Sequence, residues 1–279
     1  MVGEAGACDP AAKRERPRGE AGGDKLRSLM PTFNHDGVEI AYLDEGTGDP
    51  ILLIHGFASN RTVNWVDTGW VKLLVADGRR VIAIDNRGHG ASAKLYDPAA
   101  YAAPAMAEDA RALLDHLGLA RADVMGYSMG ARITAFLAMA HPDRVRSAIF
   151  AGLGINMVRP MAGTGPIAAA LEAPHIDNVV STTARTFRAF AEQTRSDLKA
   201  LASCIRGARD PIRAEALAQL RCPVLVAVGS DDVIGGSAVD LAALIPGAEA
   251  LVIEGRDHMK AVGDRRYKDG VLAFLARRP

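Results

Sequence analysis

Residues 121–140 constrain the fold more than any other stretch of this chain. Arg121-Ala122-Asp123-Val124-Met125 reads as a short buried strand that runs into Gly126-Tyr127-Ser128-Met129-Gly130. From Met129 to Ala140 the apolar residues Ile133, Phe136, Leu137 and Ala140 recur at the three-and-four spacing of one helical face, and His141-Pro142 ends the run. A strand that turns through Gly-x-Ser-x-Gly into a helix is a nucleophile elbow, which strains the serine backbone and projects its hydroxyl into a cleft. The glycines have a steric reason: side chains two residues before and after the serine would collide with neighbouring segments.

The same alternation continues along the chain. Thr32 to Leu43 reads as two strands around a His35-Asp36-Gly37 turn, and further buried strands are expected over 51–54, 80–84, 146–151, 223–228 and 250–253. Helical spacing recurs over 71–76, 104–117, 237–245 and 260–276. Continuous apolar strands separated by helices predict an α/β chain: a mostly parallel sheet of about eight strands covered by helices on both faces.

Five short motifs fall at the C-terminal ends of these strands. In order they are His55-Gly56-Phe57, Asp85-Asn86-Arg87-Gly88-His89-Gly90, Gly126-Tyr127-Ser128-Met129-Gly130, Gly229-Ser230-Asp231-Asp232 and Gly255-Arg256-Asp257-His258. With them the chain resembles an α/β-hydrolase of the small esterase, lactonase and perhydrolase-like group, from about Pro31 to the C-terminus. The resemblance implies the α/β-hydrolase fold and the chain order serine, acid, histidine for a catalytic triad.

A serine hydroxyl is a poor nucleophile at neutral pH, so a base must take its proton as it attacks. Of the seven histidines, His258 follows the last strand and precedes the final helix, where this fold brings its base across the sheet edge to the serine. His89 is the second choice, and His55 is read as a structural part of its turn. His35, His116, His141 and His175 are expected to be surface or satisfied histidines. A carboxylate must fix the tautomer of the base. The loop after Gly229 offers Asp231 and Asp232, and the family's spacing selects Asp232. Asp257 is expected to cap a helix. The resemblance further implies an oxyanion hole from the backbone N–H groups of Phe57 and Met129, and a loop-bracing role for Asp85 and Arg87.

Charge and cysteine content narrow the classes. Lys+Arg and Asp+Glu are both 33, a net charge of zero, so no overall basic field exists to hold nucleic acid or an anionic membrane. No apolar run approaches the length that spans a bilayer. Cys8, Cys204 and Cys222 are odd in number and widely spread, so neither a disulfide framework nor a metal site is expected, and a reduced cytoplasmic setting is. The expected chemistry needs no cofactor. Met1 to Leu29 is poor in large apolar residues and reads as a disordered tail, residues 1–30 in all, with Met30-Pro31 as a second candidate start.

Residues of about 156–221 lie between two sheet strands and are too many for a simple crossover. Helices are expected over 166–173, 183–205 and 212–220, forming a cap over Ser128 by the resemblance. Met157, Met161, Ile167, Leu171, Phe187, Phe190 and Leu201 are candidates to line a pocket. Nine Lys/Arg against six Asp/Glu in this segment could favour a substrate bearing a carboxylate. The expected activity is hydrolysis of short- to medium-chain carboxylic esters, polyester fragments included, through an acyl-enzyme. Alternatives on the same triad are a lactonase, a carbon–carbon hydrolase or a perhydrolase. A non-catalytic ligand receptor is the alternative of another class. The expected partner is a small-molecule ester; the sequence leaves the oligomeric state open.

Overall fold

Strands that are apolar on both sides need cover on both faces, and the sheet of this chain has it. The computed structural model describes residues 1–3, 30–160, 164–207 and 211–278, so most of the expected tail, including Cys8, lies outside the described residues. The strands are β1 (Thr32–His35), β2 (Val38–Glu45), β3 (Asp49–Ile54), β4 (Arg79–Ile84), β5 (Ala122–Tyr127), β6 (Val145–Ala151), β7 (Val224–Gly229) and β8 (Glu249–Ile253). The described α-helices are α1 (Trp70–Ala76), α2 (Ala103–His116), α3 (Met129–Ala140), α4 (Thr164–Glu172), α5 (Thr182–Gln193), α6 (Leu198–Arg206), α7 (Ala214–Leu217), α8 (Ala238–Ala242) and α9 (Arg265–Arg277). Pro31–Pro279 is one unit of the chain and Met1–Met30 another.

The eight strands form one sheet in the order β1-β2-β4-β3-β5-β6-β7-β8. β1 pairs antiparallel with β2, and β2 with β4; every other pair is parallel. The period of two along a strand splits the core. Leu52, Ile54, Ile82 and Ile84 join one apolar cluster with residues of α2, α3 and α8, whereas Ile51, Leu53, Val81 and Ala83 join another with α1 and α9. The expected fold class is the observed one.

The strand order positions the site. β4 lies on one side of β3 and β5 on the other. The chain therefore leaves β3 in one direction and re-crosses it to reach β5. Loops leaving the carboxyl ends of β3 and β5 diverge there, and a crevice opens at such a reversal of strand order.

Four expected helices are differently bounded: α7 covers only Ala214–Leu217 of the expected 212–220, α8 only Ala238–Ala242 of 237–245, and two more differ as follows. The stretch 183–205 is two helices, because Arg195 takes a left-handed turn (φ 52°) and Asp197 restarts the chain as N-cap of α6, accepting the Ala200 amide at 2.9 Å. Side-chain periodicity carries no signal for a single left-handed residue. The last helix starts at Arg265, not Lys260. Its N-cap is Asp264, which accepts the Arg266 amide at 2.8 Å. Asp257 instead accepts the amides of Met259 (3.1 Å) and Lys260 (2.8 Å), closing a turn directly after the strand-to-helix loop bends.

Candidate active site

Ser128 occupies the sharp turn between β5 and α3. Its backbone is at φ 54° and ψ −110°, a region that costs a non-glycine residue about 1–3 kcal/mol unless its surroundings over-determine it. They do. The Ser128 amide donates to the Ala151 carbonyl at 2.7 Å, and its carbonyl accepts the Ala131 amide at 3.0 Å. A Cβ on Gly130 would lie 1.9 Å from the Ile54 carbonyl oxygen, and one on Gly126 would lie 2.1 Å from the Gly130 oxygen. The elbow is thus seated directly on the end of β3, at a distance only glycine permits.

The loop after β8 brings His258 to the serine. Its Nε2 is 3.1 Å from Ser128 Oγ, and its Nδ1 is 2.8 Å from Asp232 Oδ2. An ionised carboxylate can only accept, so the proton sits on Nδ1 and the Nε2 lone pair faces the hydroxyl. The other oxygen of Asp232 accepts the amides of Ile234 (3.0 Å) and Gly235 (2.7 Å), which orients the carboxylate. Asp231 is exposed and accepts from its neighbour Ser230 at 2.9 Å. His89, the second-choice base, is buried elsewhere: its Nδ1 donates to the Arg87 carbonyl at 2.9 Å, and its ring packs 5.1 Å from that of His55.

Sequence reasoning missed two side chains that hold this arrangement. Tyr127 donates its hydroxyl to the His258 carbonyl at 2.6 Å. Burial above all, with the Asp232 charge adding, pushes the phenol pKa well up, so it stays a donor. Asn64 accepts the Gly56 amide at 3.0 Å. Tyr127 sits inside the serine motif, but nothing in the motif says where its ring points. Asn64 lies in a one-turn π-helix, Thr62–Val66, with no sequence signal of its own.

The turn after β3 is braced from below. The fully buried His55 donates from Nδ1 to the Gly56 carbonyl at 2.7 Å and accepts the Asn86 amide on Nε2 at 3.0 Å. Burial lowers its pKa to about 4, so the ring is neutral and fixed in one tautomer. A Cβ on Gly56 would lie 3.4 Å from that of Ser128, a measure of how closely this turn abuts the elbow. Asp85 pairs with the Arg61 guanidinium and accepts the amides of Arg61 (2.7 Å) and Ala91 (2.8 Å). Arg87 forks onto Asp109 with two bonds of 2.7 Å. Both work on loops and neither lines the cavity.

Ser128, His258, Phe57 and Met129 together border a cavity of about 600 Å³ with a mainly apolar wall. Opposite them the wall comes from Ile167 of α4, Phe187 and Phe190 of α5, and Ile205 of α6. Phe187 packs on Phe57 with ring centroids 5.9 Å apart. Three of the candidate lining residues are therefore in place. Met157, Leu171 and Leu201 are buried in the core instead, and Met161 lies outside the described residues. Periodicity marks an apolar face but not whether another helix or a void meets it. Among the described residues no group of three or more His, Cys, Asp or Glu could hold a metal ion. No described helix is long and apolar enough to cross a membrane.

A family model described as the alpha/beta hydrolase fold matches residues 49–199. The chain belongs to this family. This α/β-hydrolase is 28% identical over 271 residues to the non-heme chloroperoxidase CPO-A1 of Kitasatospora aureofaciens, covering 86% of this chain and 97% of that protein. Among solved structures it is similar to an esterase from Thermogutta terrifontis (26% identity, TM-score 0.70, 89% of this chain and 97% of that one). It is equally similar to Est816, described as an N-acyl homoserine lactone degrading enzyme (26% identity, TM-score 0.70, 87% and 99%). The family, the fold and these relatives make the chain a hydrolase.

Proposed function

We propose that this α/β-hydrolase cleaves carboxylic esters through an acyl-enzyme. The observation that carries the reading is the His258 imidazole, within hydrogen-bond reach of Ser128 Oγ on one side and of Asp232 on the other. Ser128 Oγ attacks the ester carbonyl while His258 Nε2 takes its proton. Asp232 holds the Nδ1 proton and stabilises the imidazolium. The oxyanion is met by the backbone N–H groups of Met129, at the start of α3, and of Phe57, each contributing on the order of 10²- to 10³-fold in rate. As the intermediate collapses, His258 protonates the departing alcohol. Water then enters, His258 takes a proton from it, and its oxygen attacks the acyl carbon. The second intermediate releases the acid and returns the proton to Ser128.

The helices between β6 and β7 act as a cap in this reading. Ile167, Phe187, Phe190 and Ile205 form an apolar roof suited to an acyl chain of short to medium length. Fragments of aliphatic polyester fit the same description, and the setting is cytoplasmic. A lactone is an internal ester and would follow the same steps; similarity to the lactone-degrading Est816 favours keeping it as the second reading.

The test is turnover of 4-nitrophenyl acetate and butyrate by the wild type and by Ser128→Ala. The substitution should lower kcat by at least 10³-fold. Comparable turnover would remove Ser128 from its role. A labelled fluorophosphonate should attach at Ser128; a ligand receptor with an inert site would resist it.

A further inference from the structure

The charge around the cavity is one-sided. The described residues that line it include Arg132 and Arg159 and no Asp or Glu. The whole chain is neutral, so the imbalance is local. Arg159 is exposed, as are Val233 and Met259, which also line the cavity; these residues mark its opening. Among the described residues the Arg159 guanidinium takes part in no hydrogen bond or ion pair.

The segment that carries Arg159 is held firmly. It follows the 3-10 turn Ile155–Val158. Gly154 and Ile155 donate their amides to the carbonyls of Gly235 and Ser237, both at 2.9 Å, and the Ile212 amide donates to Met157 at 3.1 Å. Asn156 reaches across from Nδ2 to the Ile234 carbonyl at 2.9 Å, tying the turn to the loop that carries Asp232. The buried Arg132 guanidinium donates to the carbonyls of Met157 (3.3 Å) and Asn156 (3.5 Å). A guanidinium on so fixed a base loses less freedom when it binds than one on a loose loop. Thr183, in the first turn of the twelve-residue helix α5, lines the same cavity, and the N-terminal end of a helix adds positive potential.

We infer that the ester carries a carboxylate remote from the reacting carbonyl, and that Arg159 binds it at the cavity mouth while the apolar body of the substrate lies under α5. This rests on the ester-hydrolysis reading above. The guanidinium fork matches a carboxylate in shape and charge. An ion pair open to water contributes a factor of about five at most. Beside an apolar wall that thins the water the factor is larger, on the order of ten or more. Half-esters of dicarboxylic acids are the simplest substrates of this kind.

Mono(4-nitrophenyl) glutarate and 4-nitrophenyl valerate form the test pair, since they differ by a terminal carboxylate in place of a methyl group. The ratio of their kcat/KM values is read in each protein, which cancels effects on folding. The wild type should prefer the glutarate by about tenfold or more. Arg159→Ala should bring the ratio down by about tenfold, mainly through KM for the glutarate. Arg159→Lys should keep part of the preference, and Arg159→Glu should reverse it. A wild-type ratio of one or less, or a ratio unchanged in Arg159→Ala, overturns the inference. Binding of monomethyl glutarate and methyl valerate to Ser128→Ala by calorimetry gives a readout without turnover. Tighter binding of the glutarate, lost when Arg159→Ala is added, supports the inference; equal binding overturns it. If neither nitrophenyl ester is hydrolysed in a Ser128-dependent way, the esterase reading fails and the calorimetry alone decides whether a carboxylate is bound.

Discussion

The two sides of the cavity are built on different principles. On the sheet side, close backbone packing and hydrogen bonds fix the groups: the elbow lies against the Ile54 carbonyl, Asp232 is held by two amides and holds His258, and the β3 turn is braced by His55 and Asn64. On the helical side, Ile167, Phe187, Phe190 and Ile205 contribute shape and apolar surface. A reaction that needs donors and a base within about 3 Å of one atom requires the first kind of construction. Selection by the shape and length of the acyl chain needs only the second, and that side can change without disturbing the chemistry. The contrast teaches where substitutions should affect the reaction and where they should affect the choice of ester.

The strongest challenge to the contrast is Gly130→Ala. Its Cβ would stand 1.9 Å from a backbone oxygen of β3, where no side-chain rotation can relieve it. The fold should lose about 3–5 kcal/mol in denaturant unfolding. Whatever folds should be slower by at least about 10²-fold, because the elbow and the β3 turn must part. Near-normal stability and turnover would show that the sheet side is far more compliant than described.

Next in size is a pH effect at the base of the same side. The buried His55 has its pKa lowered from the ordinary 6.5 to about 4, whereas in the unfolded chain it titrates near 6.5. Between these values the unfolded chain binds the extra proton, so the contribution of His55 is fully present above about pH 6.5 and is lost as the pH falls towards 4. The full difference is roughly 3 kcal/mol. Stability measured from pH 7 down to 4.5 should fall accordingly, and the part due to residue 55 should be missing from the slope of His55→Gln. An identical slope in that variant would mean that other groups carry the acid sensitivity.

The smallest effect belongs to the helical side. Phe187→Ala removes half of the ring contact with Phe57 and enlarges the cavity. We expect kcat/KM for 4-nitrophenyl butyrate to fall by about tenfold and the optimum to move to longer acyl chains, at a stability cost of about 1–2 kcal/mol. The labelling of Ser128 by a small fluorophosphonate should stay within a few-fold. A large loss of labelling would erase the distinction between the two sides.

Much of this is legible in the order of residues. The continuous apolar runs of the strands and the three-and-four spacing in α3 depend on neighbours along the chain, and the five strand-end motifs mark where loops leave the sheet. The bounds of α3, Met129–Ala140, agree with those read from the spacing. Long-range matters were hidden. Nothing local announces that Tyr127 reaches the His258 carbonyl 131 residues away, that Asn64 holds the Gly56 amide, or that Arg195 breaks one helical stretch into two.

The order of residues by itself determined the layered α/β architecture, the elbow around Ser128 and the short set of histidines and aspartates able to serve it, because each follows from periodicity and backbone freedom within a few residues. Only the folded chain decided that the Nε2 of His258 faces the serine hydroxyl, which apolar side chains border a void and which fill the core, and that Arg159 stands at the opening. Those outcomes depend on distances between segments far apart along the chain, and packing sets such distances only when the whole sheet has formed.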